Sequence, residues 1–490
     1  MQYVTNMNIK YVIKSLGSIL LLETVFLLMA TGVAWSYHGP DVQFFLLSSG
    51  LMLIAGAVFF WLGRHADDYH AGRREGILTV SLTWVVLSLF GMMPFYIGGY
   101  IADFSDAFLE TMSGFTTTGF PVFDDVEQLP HGILFWRSLI QWQGGIGMVV
   151  FTVALLPMFG GGASQLYDAE VTGFTHERFL PRVTQVAKRL SGVYLLLTIL
   201  FALLLWSGAM DLFDAVNHAM SGISTGGSST KNSNIAYWSS AYIDYVMMAC
   251  MCVGGMKLTF FFFALKGVFK PFRQDEETRW YLLYMLIFFV ITTGWLFFNH
   301  HEANSTIEQT IRKAAFQIVS VATTTGYAIA DYMSWGHLYL LLALVLMLIC
   351  GCGGSTSGGI KMGRIMILFK NIHNEFRKQI HPAAVLPVRV NGRAVSQDII
   401  RRTLIFVIVY FLLIGFSWFF LIVNGMSFDG ALYTSVAAIG NAGLSPAVFG
   451  DGSIHSLPVL SKWYISFLMM AGRLEIFTVL TLFIPGFWRK

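Results

Sequence analysis

The sequence predicts an all-α polytopic membrane protein in which four span–pore helix–span repeats surround one pore, with two further transmembrane helices ahead of them. Three observations lead there. Apolar runs of membrane-crossing length recur along the chain, basic residues alternate between the gaps that separate them, and one glycine-centred polar segment occurs four times. Of the 490 residues, 55% are hydrophobic and 12% charged, with a mean hydropathy of +0.63, whereas soluble domains are about one quarter charged.

A hydrocarbon core about 30 Å thick needs ~20 apolar residues to cross as a helix. Ten runs qualify: 15–36, 43–63, 77–100, 131–157, 186–209, 236–266, 279–299, 335–369, 397–424 and 459–486. The first carries Glu23, outruns the apolar core of a signal peptide and ends at Trp35-Ser36-Tyr37 without a small-residue cleavage site, so it reads as a retained helix. Lys10 and Lys14 precede it, and every even-numbered gap is basic: Arg64, Arg73 and Arg74; Arg178, Arg182, Lys188 and Arg189; Lys266, Lys270, Arg273 and Arg279; a dense set from Lys370 to Arg402; and Arg489 with Lys490. The odd-numbered gaps carry acids instead, among them Asp103, Asp106, Asp211, Glu302 and Asp451. Basic residues in short loops are held in the cytoplasm. Both termini are therefore expected there, beneath an acidic outer face that concentrates cations.

The repeats give the spans their grouping. SGFTTTGF (113–120), SGISTGGSS (221–229), SVATTTGYA (320–328) and AAIGNAGLS (437–445) align on Gly119, Gly227, Gly326 and Gly443, spaced by 108, 99 and 117 residues. Twelve residues before each glycine stands an alanine (Ala107, Ala215, Ala314, Ala431), and six before it stands Ser113, Ser221, Ser320 or Ala437. A lone Thr-rich segment in a membrane helix reads as packing; four aligned copies with a span on either side read as one unit used four times. The expected division is a two-helix segment at 1–75 and repeats at 76–185, 186–278, 279–396 and 397–490.

Within each unit a segment of about a dozen residues precedes the glycine, too short to cross a bilayer, so it enters and returns. Irregular backbone at that depth is tolerated only when enclosed by protein or lining a water-filled path. Four such stretches on one axis could offer backbone carbonyls in place of a cation's water shell, each aimed at by the negative end of a half-helix. The candidate ion-contacting residues are Thr117, Thr118 and Gly119; Thr225, Gly226 and Gly227; Thr324, Thr325 and Gly326; and Asn441, Ala442 and Gly443. Potassium at these residues is the only metal ion expected.

The second span of three units carries a cation. Lys257 lies thirty residues after Gly227, Arg473 thirty after Gly443, and Lys361 thirty-five after Gly326, the five extra residues falling within GCGGSTSGGIK. Charge inside a span is expensive and points to function; for Arg473 a salt bridge with Glu475 or a neighbouring helix and a barrier under the pore are compatible readings. GCGGSTSGGIK lacks the Gly-Lys-Ser/Thr ending of a phosphate loop and has no preceding soluble strand, which excludes that reading. Its small residues break the helix instead. The candidate gate is Gly351, Gly353, Gly354, Ser355, Thr356, Ser357, Gly358, Gly359 and Lys361, with Arg473. The pairs Cys250/Cys252 and Cys350/Cys352 match no zinc spacing and read as packing.

The four stretches, the run LFWRSLIQWQGGIGMVVFTVALLPMFGGGASQLYDAE at 134–170, the broken eighth span and the terminal AGRLEIFTVLTLFIPGFW resemble the TrkH branch of the Trk/Ktr/HKT potassium transporter superfamily over nearly the whole chain. The resemblance implies four covalently linked units, two additional N-terminal helices, a homodimer in the bacterial inner membrane and a cytosolic nucleotide-binding partner of the TrkA type. It implies that Gly119, Gly227, Gly326 and Gly443 are filter glycines, that Gly351 to Gly359 form the intramembrane loop, and that Arg473 is the arginine below the filter. Gly119, where some plant relatives have serine and favour sodium, implies potassium. GNAGLS in the fourth copy departs from the Thr-rich pattern of the others.

Three functional classes compete: a potassium pathway driven by the membrane potential; a proton- or sodium-coupled symporter, for which Glu23, Asp244 and Glu475 are candidate carboxylates; and a membrane enzyme. The last lacks a nucleophile–base or metal constellation, His300 and His301 sitting at a span end. No enzymatic cofactor and no nucleic-acid partner are expected.

Overall fold

A computed structural model describes residues 7–66, 72–155, 180–299, 306–443 and 454–488. Arg178, His300, His301, Glu302, Asp451, Arg489, Lys490 and the end of the fourth stretch, Leu444 and Ser445, lie outside these. Among the described residues secondary structure is almost wholly helical, with one two-stranded hairpin, Arg389–Val390 paired to Arg393–Ala394.

Among the described residues six helical spans are long and apolar enough to cross a bilayer: Ile9–Ser36, Val42–Leu62, Arg73–Ile97 with a turn at Met92, Gln185–Trp206, Glu276–Asn299 and Gln397–Val423. The first two form the N-terminal pair, and the other four are the first span of each repeat. Their outward faces carry exposed Leu, Ile and Phe, such as Leu53, Ile54, Leu203, Leu283, Val290, Leu412 and Phe419. That is how a lipid-facing helix is written.

The second spans behave differently. His131–Leu155 is continuous, but the others are split: Ala241–Gly255 and Leu258–Ala264 meet at 104°, His337–Ile349 and Met362–Ile380 are separated by the glycine-rich loop, and Val459–Arg473 gives way to Ile476–Thr481. The sequence pointed to a break in the third repeat alone; the second and fourth are broken as well. The aligned cations mark the breaks. Lys257 and Lys361 are the residues just before the restarted helices, and Arg473 is the last residue of Val459–Arg473. The first repeat has no cation there and no break at that position.

Between the spans of each repeat lies a short helix: Phe104–Phe115, Leu212–Ile223, Ile307–Ala322 and Phe428–Gly440. At 1.5 Å per residue, 12 residues reach only about 18 Å, roughly half a bilayer. Each starts on an N-cap whose side chain accepts the third backbone N–H of the helix: Asp103 from Asp106, Asp211 from Asp214, Thr306 from Gln309 and Ser427 from Gly430. All of Ser105 to Phe115 is buried, so the first of these helices is sheathed by protein. Each pore helix packs against the second span of the preceding repeat, the first against that of the fourth, which closes a ring of four. Ion pairs bind two of these seams: Lys462 to Asp106 at 2.6 Å and Arg312 to Asp244 at 2.7 Å.

Candidate functional site

Each pore helix ends directly at a glycine stretch, so four helix C-termini, each with partial negative charge, converge on one region. The turn that follows is the same in all copies. Thr117, Thr225, Thr324 and Asn441, each two residues before the aligned glycine, take left-handed φ of 55°, 56°, 64° and 50°. The next amide then reaches back into its pore helix: Thr118 to Ser113 O, Gly226 to Ser221 O, Thr325 to Ser320 O and Ala442 to Ala437 O, at 2.8–2.9 Å. Gly119, Gly227 and Gly326 are again at positive φ, 77°, 76° and 83°. Alternating hand along a stretch turns successive carbonyls toward one side, and glycine takes the second inversion without a Cβ penalty.

The predicted ion-contacting residues come together. A Cβ on Gly119 would run into the carbonyl oxygen of Gly226, one on Gly227 into that of Thr325, and one on Gly326 would lie 2.7 Å from the Gly443 Cα. A Cβ on Gly443 would in turn lie 3.1 Å from Gly326 Cα and from the carbonyl oxygens of Thr118 and Thr325. The neighbours thus run first to second, second to third, third to fourth and fourth to first. In each copy the two residues before the aligned glycine are buried and the glycine itself is partly exposed, as expected of residues around a shared opening.

Side chains hold the ring. Ser113 and Ser221 accept the amides of Phe120 and Ser228, both at 2.7 Å, and the Ser320 hydroxyl donates to Tyr327 O at 2.6 Å, which explains the serine six residues before three of the glycines. The fourth copy has Ala437 there, and Asn441 ties it elsewhere, donating to Thr118 Oγ1 at 3.0 Å and Met469 O at 2.9 Å. Gln141, which the sequence reading passed over, donates to Gly226 O at 2.9 Å and accepts from Ser221 Oγ at 2.6 Å. Its place in QWQGG was the available signal.

Glu110 was also missed. It accepts the Val122 amide at 3.0 Å and pairs with buried Arg137 at 2.7 Å, fixing the chain as it leaves the first stretch. Arg137→Leu would leave a buried carboxylate without its counter-charge, and a loss of about 3–5 kcal/mol is expected, read as a lower Tm in detergent. An unchanged Tm would remove the pair as an anchor.

Residues 350–361 pass beneath the ring, on the side of the pore-helix C-termini. The loop is sewn to three repeats. Thr356 donates its amide to Gly254 O at 3.1 Å and its hydroxyl to Ile223 O and Gly254 O at 3.1 and 3.0 Å, and Thr225 Oγ1 donates to it at 3.3 Å. The Gly358 amide donates to Thr324 Oγ1 at 3.2 Å. A Cβ on Gly358 would collide with Gly440 O. Ser355, Thr356 and Ser357 are buried, Gly351, Gly353 and Gly358 too, while Gly354, Gly359 and Lys361 are partly exposed. Lys361 Nζ donates to Ser357 O at 2.7 Å.

Arg473, 1% exposed, donates to Thr356 O at 2.6 Å and to Gly144 O at 3.0 Å, joining the loop to the second span of the first repeat. It does not pair with Glu475, which binds Arg364 at 2.6 Å. Lys257 follows a third pattern, with Asp275 at 3.1 Å and Glu277 at 2.7 Å. A small cavity below the loop is lined by Ser357, Lys361, Tyr410, Arg473 and Glu475. Among the described residues no group of three or more His, Cys, Asp or Glu could hold a metal ion, and all four cysteines are free thiols.

Known proteins match this architecture from end to end. The family model described as "TrkH: Cation transport protein" matches residues 43–490. The Trk system potassium uptake protein TrkH of Escherichia coli (strain K12) is 34% identical over 487 residues, covering 99% of this chain and 100% of that protein. TrkH of Halomonas elongata is 34% identical over 495 residues with the same coverage. The crystal structure of the potassium transporter TrkH from Vibrio parahaemolyticus superposes with a TM-score of 0.89 at 32% identity, covering 99% of this chain and 100% of that one. The chain is a multi-pass membrane protein that belongs to the TrkH family of cation transport proteins.

Proposed function

We propose that this protein is a potassium uptake pathway of the bacterial cytoplasmic membrane, channel-like and driven by the membrane potential, with both termini cytoplasmic. In this reading Thr117, Thr118 and Gly119 and their counterparts in the other copies form the selectivity filter, and Gly351 to Gly359 with Lys361 and Arg473 form the gate. It assembles as a homodimer whose gate answers to a cytosolic nucleotide-binding subunit of the TrkA type. The observation that carries the reading is the closed ring of four glycine stretches with a buried loop directly beneath it. The relatives' names as potassium uptake proteins supply the ion.

The carboxylates that a coupled symporter would use support the uncoupled form. Asp244 is engaged by Arg312 and Glu475 by Arg364. Glu23 is met by Gln143, whose amide in its better orientation donates to both carboxylate oxygens at 2.9 and 2.7 Å. None of the three belongs to the ring. Rubidium flux into proteoliposomes tests both parts. Uptake that follows an imposed potential and ignores proton and sodium gradients is expected; uptake that needs either gradient would replace this reading with symport. Deletion within Gly351 to Gly359 is expected to raise basal flux, and wild-type flux from a folded, inserted deletion protein would remove the loop as a barrier.

A further inference from the structure

One buried polar cluster lies outside the ring and reaches the loop from the far face of the membrane. The helix Glu276–Asn299 leads at its C-terminal end toward the third pore helix, so its start, with Asp275, is on the face opposite the pore-helix N-caps. There Glu277, 3% exposed, accepts the Gly353 amide at 2.7 Å with one oxygen and holds Lys257 at 2.7 Å with the other. Lys257 also binds Asp275, which accepts the side-chain amide of Asn391 at 3.1 Å. Asn391 is in the turn of the small hairpin, at φ 50°, and exchanges two side-chain-to-backbone bonds with Glu276: its Oδ1 accepts the Glu276 backbone amide at 2.8 Å and its backbone amide donates to Glu276 Oε2 at 3.1 Å. Lys370 clamps the same carboxylate at 2.5 Å while donating to Arg389 O at 2.7 Å.

We propose that Glu277 is the positioning residue of the loop and that the hairpin at 389–394 sets Glu277, so that displacement of the hairpin on the cytosolic face releases Gly353. This rests on the loop being the gate. A continuous path of short bonds runs from Asn391 through Asp275 and Lys257 to Glu277 and the loop, and each link is charged or anchored on backbone. Coupling along this path is read in a functional measurement.

Partner-free proteoliposomes and rubidium flux provide it. Glu277→Gln keeps an acceptor for Gly353 but loses the charge that holds Lys257, and it is expected to raise basal flux by about 2- to 30-fold. Asn391→Ala is expected to raise flux in the same direction by less. Combined, they should give no more than Glu277→Gln alone, because Asn391 acts through Glu277. Glu277→Asp, which retains the charge, should restore most of the closure. Wild-type flux in both single variants, or effects that multiply independently, would overturn the relay. If loop deletion raises flux while these variants do not, the relay alone fails; if loop deletion changes nothing, the gate reading fails and the relay with it. Should Glu277→Gln not insert, Asn391→Ala at the turn decides, and wild-type flux from it overturns the proposal.

Discussion

Arg473→Ala is expected to raise cation flux by up to about a hundredfold while leaving an inserted, folded protein. The charge sits beneath the ring, and at an effective dielectric of ~20 two unit charges ~6 Å apart interact by about 3 kcal/mol before screening, close to a factor of one hundred in rate. The same side chain tethers the loop through Thr356 and Gly144, so its removal lowers the barrier twice. Stability should suffer less than for a broken ion pair. The hydrogen bonds of Arg473 run to carbonyls, its Nε has no acceptor, and truncation therefore strands two acceptors at about 1–3 kcal/mol each while removing a buried charge that was itself costly. Arg473→Lys separates the two contributions, since it keeps the charge but cannot span both carbonyls. Closure by lysine identifies repulsion, and flux as high as that of alanine identifies the tether. A stable Arg473→Ala protein with unaltered flux would contradict both.

Why Arg473 binds carbonyls and not Glu475 could not be read from the chain. Backbone acceptors leave no trace in a sequence, and two residues of separation made the acid look like the natural partner. At the break between Val459–Arg473 and Ile476–Thr481, Glu475 takes a left-handed φ of 66° and binds Arg364 instead. The ring glycines were legible for the opposite reason: a positive φ packed against a neighbouring stretch leaves a single residue type, and that demand recurs at Gly119, Gly227 and Gly326. The breaks in the second and fourth repeats fall between these cases. Only the third repeat carries a long run of small residues, GCGGSTSGG at 351–359, and that run was the signal used. Yet Gly254-Gly255-Met256-Lys257 repeats the pattern of Gly358-Gly359-Ile360-Lys361, and in both the lysine precedes a restarted helix. The contact of Glu277 with Gly353 spans 76 residues and joins a charge to an amide, which no periodicity announces.

Gly119→Ser is expected to lower discrimination between potassium and sodium, seen as a reversal potential in mixed salts displaced toward the sodium equilibrium value. Two costs follow from the substitution. A side chain at φ 77° is strained by about 1–3 kcal/mol, and its Cβ would collide with Gly226 O on one side and lie 3.8 Å from Gly443 Cα on the other. Strain alone would lower stability and leave the ring's dimensions intact; the collision forces the first two stretches apart, and selectivity depends on how closely the carbonyls from all four can replace the water shell of the ion. Gly99 isolates the first cost. It has φ 72° and nothing within 4 Å of where a Cβ would sit, so Gly99→Ser carries comparable backbone strain without a collision and should change Tm but not reversal potential. If both variants shift the reversal potential equally, strain is the cause and the ring geometry is not being read. If Gly119→Ser folds and keeps wild-type selectivity, Gly119 has no part in the filter, because the neighbouring carbonyl that its missing side chain makes room for would then be free to move without consequence for the ion.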